Sequence, residues 1–260
     1  MPEPRFLPRS GYDPVNAKKR VRSIIRALGR VYPNARTSLD HRDPFELLIA
    51  TIMSAQSTDE TVNKVTPKLF SAYPTPKALA EASTPDVEAI IRPTGFFRQK
   101  TKAIVGTARK LLEDFDGEVP KTIEELTTLP GVARKTANVV LANCWPQPTS
   151  DHGIFVDTHI RRTSQRLALT DQDDPVKIER DLMALMPKSA WVDVPHQLIL
   201  LGRGPCDARN PQHADCPLLR WCPTGIEATG GQAPRKGKAR PPRSALRTHG
   251  SPAAARRRAR

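Results

Sequence analysis

The chain has 260 residues, a formal charge of +14 at pH 7 and a sequence pI near 10.1, a length that accommodates two modest domains and a charge that calls for a polyanionic partner. The basicity sits at the ends, with ten Lys or Arg and no acid from Ala228 to Arg260 and eight bases against two acids from Met1 to Arg30, so a nucleic-acid surface on the body needs local clusters. No window approaches the roughly 18 apolar residues of a membrane span, no apolar signal core opens the chain, and four cysteines are too few for a disulfide scaffold; a cytoplasmic, nucleoid-associated monomer is expected.

Residues 1–17 read as a flexible arm. Lys18 to Val31 then place Val21, Ile24, Ile25 and Leu28 on one face of a basic amphipathic helix. Asp43-Pro44-Phe45-Glu46 supplies an N-cap, a Pro at the first helical position and a Glu at the third, and Phe45, Leu48, Ile49, Ile52 and Met53 follow at helical spacing. This predicts a buried helix. It ends in Ser54-Ala55-Gln56-Ser57, and Ser57 with Glu60 predicts a capping box for a helix through Phe70, leaving Gln56 at the corner.

Thr84-Pro85 opens a short helix that Pro93 to Gly95 stop, and Phe96-Phe97-Arg98 stand at a turn before a helix from about Gln99 to Phe115. One of the two aromatics belongs in the core; the other is available as a wedge between stacked bases. Thr122 with Glu125 caps a segment that carries Ile123, Leu126 and Leu129 into Pro130-Gly131, and Ala137, Val140, Leu141, Cys144 and Trp145 recur at helical spacing beyond it. That is a helix, a tight hairpin and a helix. The polar loop Pro146 to Gly153 reads as a crossing between domains. Ile154-Phe155-Val156 lead to Asp157-Thr158-His159 and a helix through about Leu169, and helices follow from about Pro175 to Met186 and from about Ala190 to Gly202. No stretch alternates as a strand does, so the fold class is all-α in two helical lobes. Past Cys222 the residues lack periodicity and read as a disordered basic tail with nonspecific, salt-sensitive affinity for DNA.

Three groups of residues point to chemistry. The hairpin, bent at Gly131, exposes backbone N–H groups at the mouth of the next helix, where a DNA phosphate or a plain helix connection would both fit. Lys135 lies in the first turn of that helix, where a cation is disfavoured by about 0.3–1 kcal/mol; a neutral amine there would be a nucleophile suited to a Schiff base at a sugar carbon, and the plainer alternative is a lysine that binds phosphate or solvent. Asp157 stands where an N-cap stands, and the same carboxylate suits the stabilisation of a cationic sugar or the acceptance of a proton. Cys206, His213, Cys216 and Cys222 fall within seventeen residues, enough for a closed four-ligand site holding zinc or an iron–sulfur cluster. Cys144, far upstream on an apolar stripe, reads as a core thiol.

Together, the run Leu129 to Val140, the motif Val156-Asp157-Thr158-His159, the segments Phe45 to Ala50 and Ser54-Ala55-Gln56, and the cysteine-rich close resemble the endonuclease III family of DNA glycosylase/AP lyases. The resemblance covers roughly residues 18 to 222. It implies a two-lobed helical fold: a helical barrel with the helix-hairpin-helix over 37–151, and a cluster domain from an N-terminal helix at 18–36 and residues 152–222, with the tail at 223–260. It further implies duplex DNA containing damaged pyrimidines or abasic sites as partner, with no membrane, and a four-iron four-sulfur cluster as cofactor, zinc being the alternative occupant. By the matching motif positions, Lys135 is the implied catalytic lysine and Asp157 the implied catalytic aspartate. Gln56 is implied to fill the gap left by a flipped nucleotide, Phe96 to act as wedge, and Gly131, Ala133 and Arg134 to contact DNA.

The chain departs from the family pattern in four places. Ala133 replaces the second hairpin glycine, harmless with helical torsions and costly with positive φ. Thr127 stands where a Glu is common before the hairpin, Asp207 to Gln212 hold only one base, Arg209, and His213 replaces the second cluster cysteine. A non-catalytic helix-hairpin-helix module and a monofunctional glycosylase are the rival readings.

Overall fold

The computed structural model describes residues 13–145 and 152–231, and among them every regular element is helical. In chain order these are α1 (Pro14–Val31), α2 (Pro44–Met53), α3 (Asp59–Ala72), α4 (Pro76–Ala80), α5 (Thr84–Ile91), α6 (Phe97–Phe115), α7 (Ile123–Leu126), α8 (Arg134–Cys144), α9 (Thr158–Arg166), α10 (Pro175–Leu185), α11 (Asp193–Arg203) and α12 (Pro223–Ala228), with short 3-10 turns between some of them. None of these helices is long and apolar enough to cross a membrane. The described residues divide into two compact units: Thr37 to His152 form one, and the residues up to Arg36 together with those from Gly153 onward form the other.

In the first of these units, α2 is the centre. Asp43 caps it, accepting the Glu46 amide at 2.9 Å, with Pro44 at the first position. Every residue from Phe45 to Met53 is buried, because the sequence is apolar on all faces and a helix of that kind is stable only when surrounded; α3, α6 and α8 surround it. Each fully buried Leu or Ile there contributes about 1.5–3 kcal/mol relative to exposure. Glu46 and Thr51 are the polar exceptions: Thr51 Oγ1 donates to the Leu47 carbonyl at 2.6 Å, and Arg42 satisfies Glu46, its amide donating to Oε2 and its guanidinium Nε to Oε1, both at 2.7 Å. In the other unit, α1 packs on α10 and α11, and α9 on α11.

Several boundaries differ from the sequence reading for local reasons. α1 starts at Pro14, ahead of the expected Lys18, because Asp13 accepts the Val15 amide at 2.9 Å and Pro14 is preorganised for a first turn. The cap of α3 is Thr58, whose hydroxyl accepts the Thr61 amide at 3.2 Å; the expected Ser57 lies in the preceding turn. α6 begins at Phe97, so Phe97 and Arg98 belong to its first turn. α9 ends at Arg166, and Ala168 takes φ +46°. Beyond Cys222, where no further order was expected, Pro223 opens α12 and the Cys222 sulfur accepts the Gly225 amide at 3.4 Å, a local cap that periodicity does not reveal. Most of the expected arm, the loop from Pro146 to Asp151 and the tail past Gly231 lie outside the described residues.

Candidate functional site

The hairpin is built on one glycine. Gly131 has φ +77°, and a Cβ there would stand 2.9 Å from Ala103 Cβ and 3.2 Å from Ile52 Cγ2, so both the torsion and the close approach of the bend to α6 and α2 exclude a side chain. The Pro130 carbonyl accepts from Thr107 Oγ1 at 2.8 Å, which ties the bend to α6. Ala133 precedes α8 with φ −91° and ψ 168°, an extended conformation open to any residue. The alanine therefore adds no strain at the second glycine position. It also adds no acceptor: α8 has no side-chain cap, and a helix N-terminus of this kind suits an anion. Arg134 and Lys135 are exposed beside them. Thr127 turns its hydroxyl back to the Ile123 carbonyl at 2.9 Å and the Glu124 carbonyl at 3.0 Å, closing the short α7.

Two corners of the same unit hold exposed side chains on left-handed backbone. Gln56 has φ +54° in the turn after α2, where the Ser57 amide donates to the Ser54 carbonyl at 3.0 Å. Phe96 has φ +47° and ψ 29°, and is 60 % exposed. Left-handed torsions cost a non-glycine residue roughly 1–2 kcal/mol, and an exposed phenyl recovers little of that by burial. Phe97 is the aromatic that packs on the core, with Arg92 and Arg98 each 5.7 Å from its ring centre. Lys100, 5 % exposed, donates to the Thr94 carbonyl at 2.7 Å and so pins the strand of chain that carries Gly95 and Phe96; burial holds its amine below the ordinary lysine range.

In the other unit, Asp157 caps α9, its Oδ1 accepting the Ile160 amide at 2.8 Å. The carboxylate is half-buried and its backbone is held by the buried run Ile154-Phe155-Val156. Two residues on, the His159 ring Nδ1 lies 3.1 Å from Arg162 Nη2, and burial lowers the histidine's pKa against the opposing pull of Asp157.

The cysteine segment is organised by arginines. Arg166 donates to the carbonyls of Cys206 (3.2 Å), Asp207 (2.7 Å) and Ala208 (3.0 Å) and to the Cys206 sulfur at 3.4 Å. Arg162, 8 % exposed, donates to the carbonyls of Gly202 at 2.8 Å and Cys206 at 3.3 Å. Arg20 of α1 reaches the carbonyls of Leu167, Ala168 and Trp221 at 2.8, 3.1 and 2.6 Å. Burial pushes the thiols of Cys216 and Cys222 up to about 12 and about 11. His213 and Cys222 both border Gly225: a Cβ there would lie 3.4 Å from His213 Nδ1 and 3.5 Å from the Cys222 sulfur. Among the described residues no three His, Cys, Asp or Glu come close enough to hold one metal ion. Cys144, in the hairpin unit, is half-buried and pushed up to about 12 by burial, as a core thiol is.

Lys100, Arg20, Arg162 and Arg166 were not singled out by the sequence reading. The arginines act on carbonyls distant in the chain, which no spacing shows; a buried lysine at a helix start carries no local mark either.

A profile described as "HhH-GPD superfamily base excision DNA repair protein" matches residues 49–188. The chain is 52% identical over 207 residues to Endonuclease III of Synechocystis sp., covering 80% of this chain and 93% of that one. Its fold superposes on a non-covalent Endonuclease III–DNA complex with a TM-score of 0.75 at 40% identity, covering 82% of this chain and 98% of that one. A trapped covalent Endonuclease III–DNA intermediate matches with the same TM-score, identity and coverage.

Proposed function

The chain belongs to the endonuclease III family within the HhH-GPD superfamily of base excision DNA repair proteins, and from that premise we propose that it is a bifunctional DNA glycosylase/AP lyase that removes oxidised pyrimidines from duplex DNA. The observation that carries this reading is Lys135, an exposed amine in the first turn of α8 directly after an uncapped hairpin. A phosphate bound by the α8 amides holds the strand beside that amine. Flipping the damaged nucleotide costs a few kcal/mol, least where the base already stacks poorly. Gln56 fills the space it leaves, and Phe96 enters the stack beside it; the strained, exposed backbone of both supports these roles.

The Lys135 amine attacks C1′, the bond from C1′ to the base breaks, and the base departs with the bonding electrons and takes up the proton that Asp157 relays from the amine. Asp157 supports the positive charge that develops on the sugar and accepts the proton shed by the amine. The nitrogen lone pair then expels O4′ from C1′, opening the sugar ring to an imine while O4′ takes up the second amine proton; the imine makes the C2′ proton acidic, and its removal expels the 3′ phosphate, cutting the strand by β-elimination. Water then releases Lys135 by hydrolysing the imine. Gly131, Ala133 and Arg134 hold the phosphate throughout.

Cys206, His213, Cys216 and Cys222 are assigned as the ligands of a four-iron four-sulfur cluster. When bound, the cluster cross-links the segment between α11 and α12, and binding then stabilises the fold. With a neutral imidazole in place of one thiolate the assembly is one charge more positive, which raises its potential. Iron and sulfide analysis of the purified protein, with and without His213→Ala, tests this; zinc without sulfide, or a cluster indifferent to the substitution, overturns it. Borohydride trapping on duplexes holding thymine glycol or an abasic site tests the enzyme. Wild type is expected to form a covalent adduct and Lys135→Gln none. No adduct with wild type, or an equal adduct with the variant, refutes the assignment.

A further inference from the structure

The outer face of α6 carries a feature that the hairpin, Lys135 and Asp157 do not use. At 100° per residue, Arg98, Lys102 and Arg109 fall within about 40° of one another around the helix and span about 16 Å along it. All three are exposed, and none makes an ion pair among the described residues. They line a cleft of about 620 Å³ with Thr84 of α5 and Pro130 of the hairpin. No acid lines it. The cleft is braced: Arg109 Nε donates to the Ala80 carbonyl at 3.2 Å, and Gly106 admits Pro130 so closely that a Cβ there would stand 3.3 Å from Pro130 Cγ.

A second, independent observation comes from Thr101. It lines the same cleft, is 1% exposed, and its Oγ1 has no hydrogen-bond partner. Other buried helical threonines have a carbonyl partner, as Thr51 does in Leu47 at 2.6 Å, Thr163 in His159 at 2.9 Å and Thr107 of the same helix in Pro130 at 2.8 Å. Thr101 does not. A buried hydroxyl without a partner is costly, and an acceptor entering the cleft would satisfy it.

We propose that this cleft binds the sugar-phosphate backbone of the duplex flanking the lesion, with Arg98, Lys102 and Arg109 on successive phosphodiesters and the Thr101 hydroxyl donating to one of them. The cations, a hydroxyl donor and the lack of acids select an anionic oxygen ligand. The length of the row selects a strand over a free phosphate, since one strand presents a charge every 3.4 Å or so of helix axis. The row begins two residues past Phe96 and runs beside the hairpin, so both DNA contacts proposed for this unit continue into it. The inference rests on the reading of DNA as substrate.

The experiment is the salt dependence of affinity for a duplex bearing one uncleavable abasic analogue, with the full-length protein. Wild type is compared with the triple variant Arg98→Gln/Lys102→Gln/Arg109→Gln and a control of equal charge, Lys68→Gln/Lys77→Gln/Lys177→Gln. Each lost phosphate contact reduces the slope of log K against log salt by about 0.9, so the triple variant is expected to lose about two to three and the control little. A slope equal to wild type, or an equal loss in the control, overturns the proposal. Thr101→Val is expected to bind several-fold more weakly while melting no lower than wild type; undiminished affinity overturns its assignment. Inorganic phosphate at constant ionic strength is expected not to compete, and saturable competition would overturn the choice of a strand. Trapping by the wild type is read separately: normal trapping with an unchanged slope refutes the cleft alone, and absent trapping with a reduced slope refutes the lyase alone.

Discussion

Replacing Ala133 by Ser should make the protein more stable and a worse DNA binder. Ala133 occupies the N-cap position of α8 with extended torsions that Ser adopts equally well, and no side chain caps that helix. A serine hydroxyl there would accept an amide of the first turn, worth about 0.5–2 kcal/mol over alanine. For a chain of this size each kcal/mol raises the melting temperature by about 2–4 °C, so a rise of about 1–8 °C is expected. The same hydroxyl occupies an amide that a DNA phosphate needs, so affinity for an abasic-site duplex should fall several-fold, and Ala133→Asp should fall further because its carboxylate also repels phosphate. Thermal denaturation and fluorescence anisotropy on the same preparations read both effects. A variant that melts higher and binds DNA as tightly as wild type would refute the idea that the uncapped α8 amides hold phosphate.

Gly131→Ala should destabilise by about 2–5 kcal/mol, adding a left-handed alanine to a Cβ 2.9 Å from Ala103 Cβ and the overpacking that follows; denaturant unfolding measures it, and a loss under 1 kcal/mol would show that the bend relaxes freely. Phe96→Gly should relieve roughly 1–2 kcal/mol of torsional strain, offset in part by unfolded-chain entropy, while reducing the yield of trapped adduct at least tenfold; a trapped yield equal to wild type would remove Phe96 from the DNA contact. His196, buried against Phe155 with ring centres 5.0 Å apart, is held near 4 by burial first and by Arg36 and Arg203 second. Because the unfolded chain protonates it near 6.5, stability is intact above pH 6.5 and falls between 6.5 and 4, by about 3 kcal/mol in all. His196→Gln should flatten that part of the stability profile, and an identical profile would show another group to be responsible.

Local chemistry was legible in the sequence wherever a few neighbouring residues suffice. The Asp43 cap, the unbroken apolar run of α2, the Thr122 cap and the Pro130-Gly131 bend are each decided within one turn of helix, and each has the expected partner in the structure. Motif spacing likewise placed Asp157 at a helix start. Cap choice between Ser57 and Thr58 went the other way, because both residues can cap and the turn through Gln56 selects one.

Tertiary structure decided what depends on residues distant in the chain. Which phenylalanine packs and which stays exposed is set by the core beneath Phe97 and by the Lys100 tie to Thr94. The need for glycine at 131 comes from Ala103 and Ile52, on two other helices. The cysteine segment is shaped by Arg20, Arg162 and Arg166, whose guanidinium groups bridge carbonyls from 40 to 201 residues away. Capping and periodicity act through contacts a turn apart, so the linear order of residues encodes them directly. Packing and carbonyl bridging join surfaces brought together only when the helices assemble.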